Sequence, residues 1–413
     1  MVAPSARKKK AKKAKRKPVN LQANFNRKCV VAGSSAADAA ALQTPLSADM
    51  FPSNAPPMSV GSDAGGAAAG SAGGGASLGD FHLHSLCSDG KLKPRDVVAK
   101  AAENGVVYMS LTDHDTMAGV PEAMEAAQEL DVLVLPGVEI SAEVKGGENL
   151  HILGYFYPGS NSLALEKQLE KIRFGRHKRG KAMLEKLAAM GIKLQWERVL
   201  EIAGEAAPGR PHVAQALVEG GFVPHFREAF NRYLGNDGPA YVEGEHFPPE
   251  DAIKLIESAG GVSVLAHPWC CKDAMNLVPQ LAKLGIQGVE VYHDKNKIDF
   301  YGALATESNL LRLGGSDFHG IDPTTEHAPG EIPLPKKHLD IFLEHAKRVW
   351  ERPLGEQLRA LAAQMDASQS VSESLLIWNE QLQAARDVVE SELGLTLQTE
   401  GARGHYCRVS IAR

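Results

Sequence analysis

A short stretch near residue 80 carries three side chains of the types that bind metal ions in proteins. His82 and His84 stand two apart in an alternating polar and apolar segment. On an extended strand both rings would therefore project from the same face. Asp89 follows five residues after His84 and precedes Gly90, a pair typical of turns. Two imidazoles and a carboxylate at the end of a strand can begin a metal site, although one His-x-His motif predicts little alone.

Further candidate ligands recur along the chain, nearly all of them just after a predicted strand. His151 is the exception, because it lies at the start of its strand. The set lacks cysteine, so it suits manganese, zinc or iron and does not suit a structural thiolate site. The candidate ligands are His82, His84, Asp89, His114, Glu139, His151, His267, Asp317 and His319.

Nine candidate ligands exceed the need of one ion, so the sequence predicts two or three divalent metals that share a carboxylate. Glu139 is the predicted bridge, because its two oxygens can contact two ions. Metals about 3.5–4 Å apart activate a hydroxide and clamp a phosphoryl group. The chemistry predicted is phosphoester hydrolysis, with manganese as the preferred metal and zinc or iron as alternatives. Asp113, Asp115 and His293 could also contribute to the site, but their roles are left open. For the two aspartates, a part in forming the turn is an equally good explanation.

These ligands need a scaffold that brings distant residues together, and the alternation of strands and helices predicts one. The rhythm favours a distorted (β/α)7 barrel of parallel strands with helices outside. In such a barrel the carboxyl ends of the strands converge on one face. The predicted strands are 80–84, 106–111, 132–135, 149–157, 262–266, 288–292 and 311–313, and the helices between them include 94–104, 121–130, 249–259 and 276–284.

A helical segment interrupts this rhythm, and the barrel has appendages at both ends. The insertion has predicted helices at 163–190, 196–203, 213–219 and 226–233, and the carboxyl-terminal part at 356–365 and 372–393, before a short strand-like end. The predicted domains are a tail (1–77), a barrel in two segments (78–157 and 246–350), a helical insertion that caps the barrel (158–245) and a C-terminal helical extension (351–413).

Charge is distributed unevenly over the 413 residues, whose formal net charge is −5. Residues 1–79 carry 11 Lys+Arg and 3 Asp, which leaves −13 for the remainder. An acidic body suits cation binding better than broad coating of nucleic acid. The 5 cysteines show no spacing typical of disulfides, and no apolar run approaches the ~18 residues of a membrane span.

The first 76 residues lack hydrophobic periodicity and are predicted to be disordered. A Lys-rich block spans 7–17, and 65–76 contains only Gly, Ala and Ser. The block is interpreted as a nuclear address read by an import receptor, or as a nucleic-acid contact. The alternatives are a solvated tail and an organelle transit peptide. The expected location is therefore nuclear or cytoplasmic, with chloroplast or mitochondrion as the alternative.

The metal motifs resemble those of the PHP (polymerase and histidinol phosphatase) superfamily over about residues 78–350. The similarity extends to one branch, the bacterial nucleoside 3′,5′-bisphosphate phosphatases that also act as 5′-to-3′ exoribonucleases on short RNA. By that resemblance His82, His84, Glu139 and Asp317 would hold one metal. Asp89, His114 and His319 would hold a second, and Glu139, His151 and His267 a third. The motifs are Asp80-x-His82-x-His84, Ser88-Asp89-Gly90, Thr112-Asp113-His114-Asp115, Gly137-Val138-Glu139-Ile140, His151-Ile152-Leu153-Gly154-Tyr155, Ala266-His267-Pro268 and Gly315-Ser316-Asp317-Phe318-His319.

The leading hypothesis is thus a phosphoesterase acting on nucleotides or short RNA. Arg210 is predicted to clamp phosphate from the insertion, with His212 beside it, since flanking prolines stiffen the backbone there. His319 joins them as a catalytic candidate. For Arg210 the alternative is an exposed arginine at a helix start. For the whole protein the alternatives are a phosphatase of the histidinol-phosphate type and a metal-binding module without activity. Oligomeric state is not predicted.

Overall fold

A seven-stranded sheet forms the centre of the computed structural model, which describes residues 77–143, 149–160, 163–204, 207–242, 247–365 and 370–413. The strands follow one another around the sheet in chain order. The Phe81 N–H donates to the Gly314 carbonyl at 3.2 Å, and a parallel bridge joins Leu83 to Phe318, so the last strand meets the first. The strands are β1 (Gly79–Asp80), β2 (Tyr108–Leu111), β3 (Leu133–Glu143), β4 (Asn149–Tyr155), β5 (Val262–Leu265), β6 (Gly288–Tyr292) and β7 (Leu311–Gly314).

Helices connect these strands, much as the alternation predicts. The first has proline at its start, an acid in its first turn and a lysine in its last, all favourable for a helix, and it buries Val97, Val98 and Ala101. The helix at Ile298–Glu307 was not predicted. The helices are α1 (Pro94–Glu103), α2 (Val120–Leu130), α3 (Leu163–Ala189), α4 (Trp196–Ala203), α5 (Arg210–Glu219), α6 (Phe226–Ala229), α7 (Pro249–Ser258), α8 (Ala274–Lys283), α9 (Ile298–Glu307), α10 (Lys336–Gln364) and α11 (Leu382–Arg386).

One strand runs against the others, so the prediction of an all-parallel barrel is wrong for β4. It pairs antiparallel with both β3 and β5. Only residues 144–148 separate it from β3, too few for the crossover of a dozen or more residues that a parallel pair needs. The start of β4 therefore lies at the edge where its neighbours end. This reversal explains why His151 is the one candidate ligand at the start of a strand.

Helices α3 to α6 lie between β4 and β5, within the predicted insertion. Their buried apolar side chains form a cluster of their own, and a π-helical turn (Phe230–Leu234) follows α6. Members of the cluster include Met183, Leu187, Val199, Val213 and Leu217.

The carboxyl-terminal part differs from the predicted helical extension at 351–413. Helix α10 runs without a break through residue 351, and the first part of the helix predicted at 372–393 is instead a strand of a three-stranded antiparallel sheet. Residues 379–392 are helical as predicted, and the predicted strand-like end supplies the other two strands. Leu375–Trp378 is a short apolar run, which periodicity alone cannot assign to helix or strand. The sheet contains β8 (Leu375–Trp378), β9 (Thr396–Arg403) and β10 (Tyr406–Ala412), in the order β8-β10-β9.

The Tyr406 hydroxyl ties this sheet to the barrel. It accepts from the Val134 N–H at 2.6 Å and donates to the Val134 carbonyl at 3.0 Å. Among the described helices, none has a stretch long and apolar enough to cross a membrane.

Candidate metal centre

Glu139, only 1% exposed on β3, lies at the centre of the candidate ligands. Its Oε2 atom is 3.4 Å from His82 Nε2 and 3.3 Å from His84 Nε2. The same oxygen is 2.9 Å from His114 Nδ1. Three imidazoles thus face one carboxylate oxygen in a buried site.

The other oxygen of Glu139 faces two more imidazoles. Its Oε1 atom is 2.8 Å from His151 Nδ1 and 3.0 Å from His267 Nε2, and these two nitrogens are 3.2 Å apart. His267 has a φ of 27°, a strained conformation of the kind that concentrates at functional sites. With five rings around its two oxygens, Glu139 has the geometry of a bridging ligand.

Asp317 contacts the same ring nitrogens of His82 and His84 that face Glu139. Its Oδ1 atom is 3.3 Å from His82 Nε2 and 3.2 Å from His84 Nε2. Its φ of 53° is left-handed, which a non-glycine residue seldom adopts. The His319 Nδ1–H donates to the Asp317 carbonyl at 2.8 Å, so the other ring nitrogen is left to bind a metal or an acid.

Asp89 completes the cluster on the side of His319. Its Oδ1 atom is 3.3 Å from His319 Nε2, and its Oδ2 atom is 3.6 Å from His114 Nε2. The rings of His84 and His319 stack with centroids 4.2 Å apart. All nine residues predicted as metal ligands therefore meet at the mouth of the barrel.

Opposite charges set the protonation of these groups. Burial opposes ionisation of Glu139, but His114, His151 and His82 hold its pKa well below the usual range. Burial also disfavours the charged form of His319, yet the Asp89 carboxylate raises its pKa to about 10. For His151 burial prevails and lowers the pKa to about 4. The cluster thus keeps its carboxylates ionised, as metal binding requires.

Several buried atoms of the cluster, three ring nitrogens and the carboxylate oxygen 2.9–3.4 Å from them, make no well-aligned hydrogen bond among the described residues. They are His82 Nε2, His84 Nε2, His114 Nδ1 and Glu139 Oε2. Leaving a buried polar atom unpaired costs about 1–3 kcal/mol, so such atoms call for a partner. All four are of the kinds that bind divalent ions, and a metal therefore fits them.

Three groups of ligand atoms are compact enough for one ion each, since the atoms within each group lie within 4.8 Å of one another. His84 and His114 each belong to two of the groups. The assignment of each ligand to a particular ion stays a prediction. The groups are His84, Asp89, His114 and His319; His82, His84 and Asp317; and His114, Glu139 and His151.

Glu290 supports the cluster from behind, although the sequence reasoning missed it. The His82 Nδ1 atom is 3.1 and 3.2 Å from its two oxygens, and the His267 N–H donates to it at 2.7 Å. Glu290 is 1% exposed in the middle of β6. A charged residue within the apolar strand Gly288–Tyr292 was the signal for this role.

We expect Glu290→Gln to weaken metal binding about 10- to 100-fold. If the amide nitrogen faced His82, it would donate to Nδ1 and move the ring proton to Nε2, the atom that faces Glu139. Titration of metal-free protein with Mn²⁺ by calorimetry measures the change, and Glu307→Gln, exposed at the end of α9, is the control. Equal affinities for both variants would show that Glu290 has no part in orienting the ligand.

Two residues with undecided roles also make supporting contacts. Asp113 accepts from the Ser85 N–H at 2.7 Å and from the Ser88 hydroxyl at 2.6 Å, which shapes the loop between His84 and Asp89. His293 Nδ1–H donates to the Gly315 carbonyl at 3.0 Å. Both contacts brace segments that carry candidate ligands.

Arg210 and His212 lie at the start of α5. Arg210 lines a cavity of about 140 Å³ that His151 also borders. Its Nη1 donates to Asn236 Oδ1 at 2.7 Å, within the insertion. His212 Nδ1 accepts from the Gly209 N–H at 2.9 Å, and burial lowers the pKa of His212 to about 4. A neutral His212 therefore carries its proton on Nε2.

Three more cations line the same cavity, and none was singled out from the sequence. Lys171, Arg176 and Arg179 all belong to α3. The high Lys and Arg content of this helix was the available signal. Which face of the helix turns toward the barrel could not be read from composition.

A closed barrel that gathers nine His, Asp and Glu ligands at its mouth defines a metal-dependent hydrolase. The sequence matches the family model of the PHP domain over residues 80–234. It is 34% identical over 279 residues to a 3′,5′-nucleoside bisphosphate phosphatase of Chromobacterium violaceum, which covers 66% of this chain and 94% of the relative. The chain belongs to the PHP family and is a metal-dependent phosphoesterase.

Two further comparisons agree with this assignment. A 5′-3′ exoribonuclease of Haemophilus influenzae is 34% identical over 248 residues, covering 58% of this chain and 89% of the relative. A solved structure described as an amidohydrolase from Chromobacterium violaceum, with bound sulfate, superposes with a TM-score of 0.56 at 33% identity. That match covers 61% of this chain and 91% of the other. The predicted distorted barrel is thereby confirmed.

Proposed function

We propose that this phosphoesterase hydrolyses nucleoside 3′,5′-bisphosphates and 5′-phosphorylated short RNA. The proposal rests mainly on the cationic cavity beside the ligand cluster, which both His151 and Arg210 line. The phosphoryl group that is hydrolysed lies at the ligand cluster. The cavity offers a place for a second phosphate, which a bisphosphate or an RNA chain possesses.

The proposal includes two or three divalent ions, with manganese preferred and zinc or iron as alternatives. When bound, such ions supply a hydroxide nucleophile at neutral pH and neutralise charge on the phosphoryl oxygens. The proposed ligands are the nine residues named above, with Glu139 between ions because imidazoles approach both of its oxygens.

The protein's own residues would orient the substrate. Burial lowers the pKa of Arg179 to about 10, and repulsion by the neighbouring Arg176 and Arg210 adds to this, while Glu143 of the same cavity partly offsets it. An anion in the cavity relieves that repulsion. Neutral His212 can donate its Nε2 proton to a phosphate oxygen. His319, which donates its Nδ1 proton to the Asp317 carbonyl, is the third proposed catalytic residue.

We expect Arg210→Ala to lower kcat/KM on adenosine 3′,5′-bisphosphate by about 30- to 150-fold. This corresponds to a loss of roughly 2–3 kcal/mol, the scale of a charge-assisted hydrogen bond. Asn236 holds Nη1 in place, so the remaining nitrogens of the guanidinium can meet the phosphate. Arg210→Lys should not restore activity, because an ammonium lacks the planar fork. Steady-state kinetics measures both variants.

Arg227→Ala, an exposed change in the same insertion, is the control for Arg210. Bound metal should equal that of the parent protein in every variant, since no proposed ligand is altered. Parent-like rate and Michaelis constant for Arg210→Ala would place the phosphate contact elsewhere.

A substrate panel tests the proposal as a whole. The full-length protein with Mn²⁺ is assayed on adenosine 3′,5′-bisphosphate, histidinol phosphate and 5′-phosphorylated oligoribonucleotides. We expect turnover of the first and third. Preference for histidinol phosphate would favour the amino-acid-pathway alternative, and inertness on all three would favour a module without activity.

Residues 1–76 lie outside the described residues. We propose that this amino-terminal tail is an address for nuclear import and is dispensable for chemistry. Deleting residues 1–76 should leave the rate on adenosine 3′,5′-bisphosphate within about twofold, because the candidate ligands and the residues that line the cavity all lie beyond residue 76. Cellular location or RNA affinity should change. Replacing only Arg7–Lys17 by alanines is the matched variant, and an inactive truncated protein would show that the tail belongs to the active fold.

A further inference from the structure

One face of the long insertion helix α3 carries a line of exposed cations interrupted by a single phenyl ring. Successive members are four, three, four and three residues apart, so at 100° per residue they lie in one narrow strip. All are exposed, and Phe174, 61% exposed, exceeds every other large apolar side chain of the described residues in this respect. This basic stripe consists of Lys167, Lys171, Phe174, Lys178 and Lys181.

The basic stripe adjoins the cavity beside the metal centre. Lys171 belongs to the stripe and also lines the cavity, together with Arg176 from the inner side of the helix. Arg176 is held there by Asp115, whose Oδ2 atom is 2.6 Å from its Nε. A polyanion that entered the cavity at one end could therefore continue along the outer face of α3.

The chemistry of the stripe fits nucleic acid better than plain solvation. Lys178 Nζ lies 4.9 Å from the centroid of the Phe174 ring, and Lys181 Nζ lies 5.8 Å from that of Trp196. Exposed Glu170 flanks the strip, and exposed Glu185 follows it at the end of the helix, so four ammonium groups outnumber the nearby acids. Solvation needs lysines but no exposed phenyl ring, whereas single-stranded nucleic acid uses both, phosphates on cations and bases on aromatic faces.

We propose that the basic stripe binds the part of a single-stranded RNA substrate that lies beyond the nucleotide at the metal centre. This inference rests on the proposed function and specifies where the rest of the RNA lies. The lysines contact phosphates and Phe174 stacks on a base. From Lys167 to Lys181 the helix rises about 21 Å, which leaves room for a few nucleotides.

The test compares stripe variants with matched controls on two substrates. Lys167→Glu/Lys181→Glu alters charge, and Phe174→Leu removes the ring, while Phe174→Tyr keeps a stacking face. Lys254→Glu/Lys283→Glu is the charge control, with both lysines exposed on helices α7 and α8. Each protein is assayed on a 5′-phosphorylated hexaadenylate and on adenosine 3′,5′-bisphosphate at several salt concentrations.

Phe174→Leu should raise the Michaelis constant for the hexamer about tenfold, and Phe174→Tyr should stay near the parent value. The double charge reversal should reduce the slope of log affinity against log salt by about 1.4, at ~0.7 for each lost phosphate contact. Kinetics on the mononucleotide should not change in any stripe variant. Equal hexamer kinetics for stripe and control variants would overturn the inference while the proposed function stands.

A direct binding measurement shows whether the stripe binds RNA, independently of whether the protein hydrolyses it. Fluorescence anisotropy with a labelled hexaadenylate, in chelator to prevent hydrolysis, should show weaker binding by Lys167→Glu/Lys181→Glu and by Phe174→Leu, even if the parent protein turned over neither substrate. Competition by polyglutamate as strong as that by unlabelled RNA would assign the stripe to an acidic protein and overturn the RNA inference.

Discussion

Replacing Glu139 with glutamine is expected to lower kcat/KM on adenosine 3′,5′-bisphosphate by about 10³-fold or more. Both carboxylate oxygens face imidazoles, with the shortest contacts at 2.9 Å to His114 and 2.8 Å to His151. An amide removes the negative charge and turns one acceptor into a donor. The loss of several kcal/mol of charge stabilisation corresponds to about three powers of ten in rate.

Elemental analysis and kinetics on the same preparations measure this effect. Glu139→Gln should bind less metal than the parent protein, whereas Glu257→Gln, exposed on α7, should match the parent in both respects. Thermal unfolding identifies any general loss of structure. A Glu139→Gln protein with full metal content and near-parent turnover would remove Glu139 from the centre of the site.

Replacing Arg176 with methionine is expected to destabilise the protein by about 3–5 kcal/mol, the cost of leaving a buried charge without its partner. Asp115 is completely buried and lies 2.6 Å from Arg176 Nε. It also accepts from the Ser141 N–H at 2.7 Å, which partly compensates for the loss. Because Asp115 follows His114 directly, the variant should also loosen a loop that carries a candidate ligand.

A double-mutant cycle isolates this interaction. Asp115→Asn/Arg176→Met removes both charges and should be more stable than Arg176→Met alone, as measured by urea unfolding. Hydrogen exchange in the His114 loop should rise in the single variant. Strict additivity of the two changes would show that the ion pair does not hold the insertion helix to the barrel.

That the candidate metal ligands meet could be predicted because they follow strands, and strand ends meet at a barrel mouth. Strand ends alone do not explain the position of His151, since that position depends on the direction of β4. Strand β3 was predicted to end at Leu135, just before Pro136 and Gly137. The strand instead continues to Glu143 and changes partner at this point, with Pro136 opposite Leu111 of β2 and Gly137 opposite Tyr155 of β4.

The cationic cavity could not be predicted, because it exists only once distant segments meet. Arg176 and Arg210 come from two helices of the insertion, and His151 comes from the barrel. Their sequence separation carries no signal comparable to strand periodicity. Strand β8 was assigned to a helix for a different reason, since a four-residue apolar run is ambiguous between strand and helix.

Phosphate release from adenosine 3′,5′-bisphosphate, measured before chelation, after it and after return of Mn²⁺, shows whether turnover by this protein depends on bound metal. We expect chelation to abolish release and Mn²⁺ to restore it. Elemental analysis should find two or three divalent ions per chain in the active form. Turnover indifferent to chelator, in a protein without bound metal, would exclude a metal-dependent site.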